Sequence, residues 1–453
     1  MPAIGIIGAG ASGLACAHAR MRDGDAVTLL ERSPRPGGSI GSFAEDGFLA
    51  EHGPHSLQIN APAVEALVNE VPGLAASAAE PDPAAQKRYV VRDGRPVAVP
   101  SGPLDFLRSP LFSNRAKLRL LREPWIPRGD PETEESVGAF VRRRLGDEIE
   151  RYAVNPFVGG IYSGRPDRLS VRHAFPRLAE MEREHGSLVR GGIAAKRQKR
   201  KAQRDPRSPA FRKRMVAFKN GMRELPEAIA SELGDRLRLN VSVESIERDG
   251  DGWRVRWREG DGGANETRFD ELVLAVPAHA VLGLPLPESA RDCLRPLHGV
   301  EHPPVSVLSL GVRRDAVDHP LDGFGMLVPA CEQRDVLGVI FASSLFPGRA
   351  PDGHVLLGCF AGGARQPDRA EWNDERLLEA VLRDLREILG VRDTPRFVRR
   401  CHWPRAIPQY GLGHGTLLKA LDAAEASHPG LRFLGNYRGG IALPACLENG
   451  ARA

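Results

Sequence analysis

No run of apolar residues in this chain approaches the ~20 needed to cross a bilayer as a helix. A bundle of membrane-spanning helices is therefore excluded. The six cysteines, Cys16, Cys293, Cys331, Cys359, Cys401 and Cys446, are scattered, and no Cys-x-x-Cys occurs. No Cys/His cluster has ligand spacing, so we assign no metal. The thiols are expected to be reduced and mostly buried, as in a cytoplasmic protein. Internal repeats and low-complexity tracts are absent. The N-terminal residues run directly into a strand pattern, so no signal peptide is expected.

What is present is apolar residue enough for globular folding, 42% of 453, and a length that suits two or three domains. The formal net charge is +5. Its basic side is concentrated in residues 190–214, which include Lys196, Arg197, Lys199, Arg200, Lys201, Arg212, Lys213 and Arg214. A solvated face is the first reading of such a run and contact with anionic lipid headgroups the second. No nucleic acid partner is expected, because no recognition motif accompanies the charge.

The densest information lies in the first forty residues. Ile4–Gly13 reads IGIIGAGASG, an apolar run that breaks into Gly8-x-Gly10-x-x-Gly13. Glu31 follows a second apolar run, Val27–Leu30. Strand, glycine turn, helix, strand and acidic residue in this order form the dinucleotide fingerprint. Gly8 makes the turn, Gly10 admits a pyrophosphate to the backbone, and Gly13 lets helix and sheet pack closely. The helix start offers free N–H groups to phosphate, and Glu31 can accept from ribose hydroxyls.

Farther along, residues 87–215 are helical patches rich in Leu and Arg, broken by Pro-rich turns. Glu135–Leu145 is a candidate amphipathic helix that Gly146 would end. The stretch from Pro156 to Tyr162 reads as a glycine-rich loop. Then α/β patterning returns. Gly221–Leu233 reads as a helix, Leu237–Ile246 and Trp253–Trp257 as strands, and Glu271–Val276 as a buried parallel strand ending at Pro277. Strands follow near Val305–Gly311, Leu337–Ser343, Val355–Phe360 and Leu431–Leu434. Leu377–Leu389 reads as a strong helix, and a last element starts near Gly435. The expected fold is α/β, with a nucleotide-binding domain assembled from separated pieces of chain.

Arg35-Pro36-Gly37-Gly38 and Glu51-His52-Gly53-Pro54, placed just after Glu31, resemble the opening of the FAD amine-oxidase-like superfamily. NAD-dependent dehydrogenases usually lack that second glycine pair, which favours FAD. Further segments narrow the resemblance. They are Lys87-Arg88-Tyr89-Val90, Asn155-Pro156-Phe157 through Ile161-Tyr162-Ser163-Gly164 with Leu169-Ser170, and Gly323-Phe324-Gly325-Met326-Leu327-Val328-Pro329. Gly362-Gly363-Ala364-Arg365, Ile407-Pro408-Gln409-Tyr410 with Gly413-His414, and Gly435-Asn436 with Gly440-Ile441 complete the set. In this order they resemble the oxygen-dependent porphyrinogen oxidase family of haem biosynthesis, nearly end to end.

That resemblance implies a discontinuous Rossmann-like FAD-binding domain (1–86, 216–285 and 401–453), a helical membrane-associating region (87–215) and a sheet-rich substrate domain (286–400). It implies a peripheral place on the cytoplasmic membrane face. The expected reaction removes six electrons from protoporphyrinogen IX in three two-electron steps, with O2 as acceptor giving H2O2. The flavin carries the redox chemistry, so no catalytic triad is expected. Carried over by motif, FAD contacts fall on Gly8, Ala9, Gly10, Ala11, Ser12, Gly13, Glu31, Arg32, Arg35, Gly38 and Ser39. Gly53, Pro54, His55, Ser56, Val243, Trp403, Gly435, Asn436, Ile441, Ala442 and Leu443 complete that group. For the tetrapyrrole, Phe324 and Leu327 match positions that sandwich a pyrrole ring, and Gly325 leaves room beside them. Arg88 matches a residue that pairs with a propionate, and Phe360 lines the cavity. Read without the family, Arg88 is a solvated surface arginine, and Val243 and Trp403 are ordinary packing.

His55 is a candidate proton relay, given the near-neutral pKa of imidazole; a packing histidine is the plainer reading. The closing segment departs from the family, with Ala445 where an Asp is common and Pro444 unusual there. The chain stops at Ala453 where relatives continue the last helix, a difference that bears on stability and on flavin retention. Coproporphyrinogen III is the rival substrate, and a non-catalytic FAD- or porphyrin-binding relative is the alternative from another class. A ferrochelatase-type pathway partner and a homodimer are left open.

Overall fold

The computed structural model describes residues 1–202 and 213–453. Part of the basic stretch 190–214 therefore lies outside the described residues. The first layer is a five-stranded parallel sheet in the order Leu237–Arg238, Ala26–Leu30, Ala3–Ile7, Glu271–Leu274, Leu431–Phe433. Its strands come from three well-separated stretches of chain. They are short, apolar and buried on both faces, as parallel strands must be. On one face Ile4, Ile6, Leu29 and Val273 pack with the helices Ala11–Arg22, Pro62–Glu70, Glu224–Leu233 and Leu443–Ala451. On the other, Leu30, Leu272, Leu274 and Phe433 meet Leu417 and Leu421 of helix His414–Ser427 and Trp253 and Val255 of a three-stranded antiparallel sheet.

Helix Ala11–Arg22 is not amphipathic, because it is enclosed: Ser12 through His18 are all buried. Small residues permit this. A Cβ on Gly450 would lie 2.2 Å from the Ser12 carbonyl oxygen, so the last helix crosses the first in backbone contact.

The second sheet has seven strands in the order Phe397–Trp403, Val305–Arg313, His354–Gly362, Val336–Phe341, Gly323–Leu327, Lys87–Arg92, Arg95–Ala98. Only Gly323–Leu327 and Lys87–Arg92 run parallel. One face buries Leu308, Leu310, Val339, Leu357 and Cys359 against Leu377, Val381 and Leu385 of helix Asp374–Leu389. That helix starts at Asn373, whose side chain accepts from Arg376 N–H at 3.0 Å, and ends at left-handed Gly390. A helical region from Pro103 to Ala202 closes over Val90 and Leu327 with its own core of Val137, Phe140, Val141, Val158 and Leu169.

Two sequence readings are corrected. The supposed loop from Pro156 to Tyr162 is part of helix Asn155–Tyr162. Pro156 follows directly on the π-helical turn Glu150–Val154, the kind of irregularity at which a helix absorbs a proline. Of its two glycines only Gly160 serves packing: a Cβ there would meet Leu327 Cδ2 at 2.5 Å, whereas one on Gly159 meets nothing within 4 Å. The strand expected over Leu237–Ile246 is divided between two sheets, with Leu237–Arg238 in the parallel sheet and Val241–Asp249 in the antiparallel one.

Candidate active site

The glycine turn after Ala3–Ile7 has a closed side and an open side. Gly8 takes φ +105°, and a Cβ there would sit 2.7 Å from the Ala275 carbonyl oxygen. A Cβ on Gly13 would fall 1.9 Å from the Gly8 carbonyl oxygen, so only hydrogen fits. Gly10 is different: a Cβ built on it meets nothing within 4 Å. No side chain caps helix Ala11–Arg22, which leaves the first-turn N–H groups facing that open side. This cradle fits a pyrophosphate.

The Glu31 carboxylate accepts from Ala9 N–H at 2.7 Å and from the Ser33 amide and hydroxyl at 2.8 and 2.7 Å. A carboxylate has about four acceptor positions, so one remains for a ribose hydroxyl. Arg32 is exposed beside it. Arg35 instead braces its own loop, donating to the Ile40 and Gly38 carbonyls at 2.8 and 2.9 Å. Gly37 N–H donates to Ala9 at 2.8 Å, which lays Gly38 and exposed Ser39 beside Gly10. A Cβ on Gly53 would meet the Ser39 carbonyl at 2.5 Å, so Gly53, Pro54 and Ser56 continue the same rim.

Val243 is half-buried on strand Val241–Asp249, whose Val241 N–H donates to the Glu31 carbonyl at 2.8 Å. Trp403 donates its indole N–H to the His52 carbonyl at 3.0 Å. The closing segment runs from Gly435 and Asn436 through Gly440 into helix Leu443–Ala451. Exposed Ala442 is its N-cap, again without a side-chain cap, and Pro444 lies in its first turn. The uncapped amides around Ile441, Ala442 and Leu443 make this a second positive helix start.

The residues expected to meet substrate lie on the seven-stranded sheet. Arg88 is opposite Gly325, and a bulge between Gly323 and Gly325 makes Phe324 the extra residue. The exposed Arg88 guanidinium stands 5.5 Å from the Phe324 ring centroid. Phe324 and Leu327 diverge: the first packs toward the nucleotide-binding core, the second toward the helical region. Gly325 departs from its expected reason. A Cβ there would lie 2.2 Å from the Val339 carbonyl oxygen, so strand pairing fills the space.

Half-buried Phe360 has its ring centroid 5.7 Å from that of His55. His55 is enclosed beneath Gly358, whose added Cβ would touch its Cε1 at 2.9 Å, and its Nε2 has no partner. Burial first, then Arg349, pushes the imidazole pKa down to about 4. Beside it is a buried pair absent from the sequence reading: Arg349 Nη1 lies 2.7 Å from Glu51, which also accepts from Ser42 Oγ and the Met222 amide. Burial raises the Glu51 pKa against the pull of Arg349. Glu51 was visible only as part of the Glu-His-Gly-Pro motif, and Arg349 gave no local signal.

A Rossmann-type glycine turn on a parallel sheet, a second uncapped helix start and a separate seven-stranded sheet suit an FAD-dependent oxidoreductase. Residues 11–453 match the model of the flavin containing amine oxidoreductases, and the chain belongs to that family. It is 33% identical over 477 residues to the mitochondrial protoporphyrinogen oxidase of Nicotiana tabacum, covering 99% of this chain and 93% of the relative. It is 27% identical over 463 residues to the coproporphyrinogen III oxidase of Staphylococcus aureus (strain NCTC 8325 / PS 47), covering 99% and 97%. Its fold matches the crystal structure of a protein assigned as a protoporphyrinogen oxidase from Exiguobacterium sp. 255-15, with a TM-score of 0.81, 23% identity, and coverage of 100% and 97%.

Proposed function

We propose that this enzyme oxidises protoporphyrinogen IX to protoporphyrin IX, with O2 as acceptor, in haem biosynthesis. The observation that carries the reading is the bulge at Gly323–Gly325, which brings the Phe324 ring under the Arg88 guanidinium of the neighbouring strand, while apolar Leu327 faces the helical region. A flat apolar macrocycle with propionates on one edge matches that combination. The higher identity to protoporphyrinogen oxidases, 33% against 27% for the coproporphyrinogen III oxidase, favours protoporphyrinogen IX over coproporphyrinogen III.

The chain's own residues bind and orient. The first-turn amides after Gly10 hold the pyrophosphate, Glu31 and Arg32 the ribose, Val243 the adenine side, and Trp403 with residues 441–443 the flavin end. Bound FAD supplies the two-electron oxidation chemistry and its return to the oxidised form by O2. Arg88 anchors a propionate through a charge-assisted contact. Phe324, Leu327 and Phe360 exclude water. His55, neutral at physiological pH, relays a proton without storing it.

The nucleotide domain comprises 1–86, 216–285 and 401–453, with 286–400 as the substrate part and 87–215 as the helical part, whose strands Lys87–Arg92 and Arg95–Ala98 join the substrate-side sheet. The helical part lies on the cytoplasmic face of a membrane without spanning it. Leu104, Leu118, Leu121 and Trp125 are 69%, 63%, 65% and 76% exposed, and exposed Arg108, Arg115 and Arg122 flank them. Apolar side chains with basic neighbours suit anionic lipid. No helix among the described residues is long and apolar enough to cross a membrane.

The test is stoichiometry with purified protein and added FAD. One porphyrin formed per three H2O2 supports the reading. FAD binding without accelerated porphyrin formation rejects it in favour of a non-catalytic relative.

A further inference from the structure

The segment Ile407-Pro408-Gln409-Tyr410 has no role in the account above, yet its last residue touches the flavin-side loop. Tyr410 is 3% exposed. Its hydroxyl donates to the Asn436 carbonyl at 2.7 Å and accepts from the Gly440 N–H at 3.0 Å. One oxygen thus spans the loop between strand Leu431–Phe433 and helix Leu443–Ala451.

The middle of that loop is held by fully buried Tyr437 and by Arg438, which pairs with Asp422 and Glu425 at 2.7 and 2.6 Å, but its ends are glycine. Gly435, Gly439 and Gly440 take φ values of +153°, +78° and +127°, and glycine moves readily among such conformations. Tyr410, by contrast, is held on every side. Its ring stacks on buried His414 with centroids 4.1 Å apart and planes at 19°. It meets the Tyr162 ring edgewise at 6.1 Å, and its carbonyl accepts from Ser170 N–H at 2.8 Å. A rigid side chain therefore fixes the loop on either side of the Tyr437–Arg438 anchor, its second contact falling immediately before Ile441, Ala442 and Leu443.

We propose that Tyr410 is a positioning residue for FAD: its hydroxyl sets the course of residues 436–440 and so aims the following amides at the flavin. The inference rests on FAD binding by that segment and is independent of which porphyrinogen is oxidised.

Tyr410→Phe removes one oxygen and keeps the stacked ring, but leaves a half-buried carbonyl and a half-buried N–H without that partner. The FAD dissociation constant is expected to rise at least about tenfold, with a shift in the visible absorption of the bound flavin. Tyr162→Phe is the comparison. It loses a hydroxyl bond of the same kind, to the Ala174 carbonyl at 3.0 Å in the same core, without touching the loop. Its FAD affinity should stay within about twofold of wild type. Unchanged FAD affinity and absorption in Tyr410→Phe, or equal losses in both variants, would overturn the proposal. Should Tyr410→Phe not accumulate as folded protein, amide exchange in the FAD-free wild-type chain decides. Gly440 N–H protection comparable to the core helices upholds the clamp, and exchange at open-loop rates refutes it.

Discussion

The open side of Gly10 separates cofactor binding from folding in a way one methyl group can test. A Cβ on Gly10 meets no protein atom within 4 Å, and its φ of −75° and ψ of −177° suit alanine. Gly10→Ala lowers unfolded-chain entropy, worth about 0.4–1 kcal/mol in favour of folding. Alanine is a poorer N-cap than glycine, by roughly 0.5–1 kcal/mol. The two nearly cancel, so denaturant midpoints of the FAD-free protein should agree within about 0.5 kcal/mol. If pyrophosphate lies against this backbone, however, the methyl displaces it from the first-turn amides. Losing one charge-assisted hydrogen bond costs about 1.5–3 kcal/mol, which is about ten- to a hundred-fold in FAD affinity. Gly13→Ala is the contrasting variant. Its Cβ would overlap the Gly8 carbonyl at 1.9 Å, so folding itself should suffer, by about 1–3 kcal/mol or more. Titration of each FAD-free variant with FAD, alongside urea unfolding, reads both effects. Gly10→Ala with wild-type FAD affinity would refute the placement of pyrophosphate on the open side.

Other consequences follow from the same geometry. His55 and His414 are buried, and both imidazoles are pushed down to about 4. The unfolded chain, with histidines near ~6.5, binds more protons between these values, so stability must fall as pH drops from about 6.5 toward about 4. The loss is on the order of 3 kcal/mol per histidine, and urea midpoints across that range should show a shallower slope in His55→Asn. If His55 relays a proton, that variant also loses turnover at some pH; full turnover at every pH returns His55 to packing. Arg88→Ala should lower kcat/KM about tenfold, mainly through KM, because it removes substrate binding rather than chemistry; steady-state kinetics decides. Replacing Arg349 with Met strands the buried Glu51 carboxyl and should cost about 3–5 kcal/mol by urea unfolding. Leu118→Asp with Trp125→Ser should weaken sedimentation with anionic vesicles while leaving the denaturation midpoint within about 0.5 kcal/mol; unchanged sedimentation would count against a lipid-facing surface.

Much of the nucleotide-binding half was legible locally. The strand at Glu271–Leu274 announced itself as a continuous apolar run closed by Pro277, and the glycine turn by its spacing. These signals are contained in a few residues, so no long-range information is needed. The helix Asn155–Tyr162 was misread because proline and paired glycine normally mark loops. Here Pro156 follows a π-helical turn and Gly160 allows a close approach to Leu327, a partner remote in sequence. The bulge that turns Phe324 toward Arg88 was invisible for a related reason, since it exists only through pairing with Lys87–Arg92. The Glu51–Arg349 pair likewise joins distant parts of the chain. No periodicity reveals such a contact.

The measurement that bears most directly on the account is aerobic porphyrin fluorescence with FAD-loaded enzyme, run side by side on protoporphyrinogen IX and coproporphyrinogen III with no-enzyme controls. Faster oxidation of protoporphyrinogen IX is the predicted result. A clear preference for coproporphyrinogen III would contradict it.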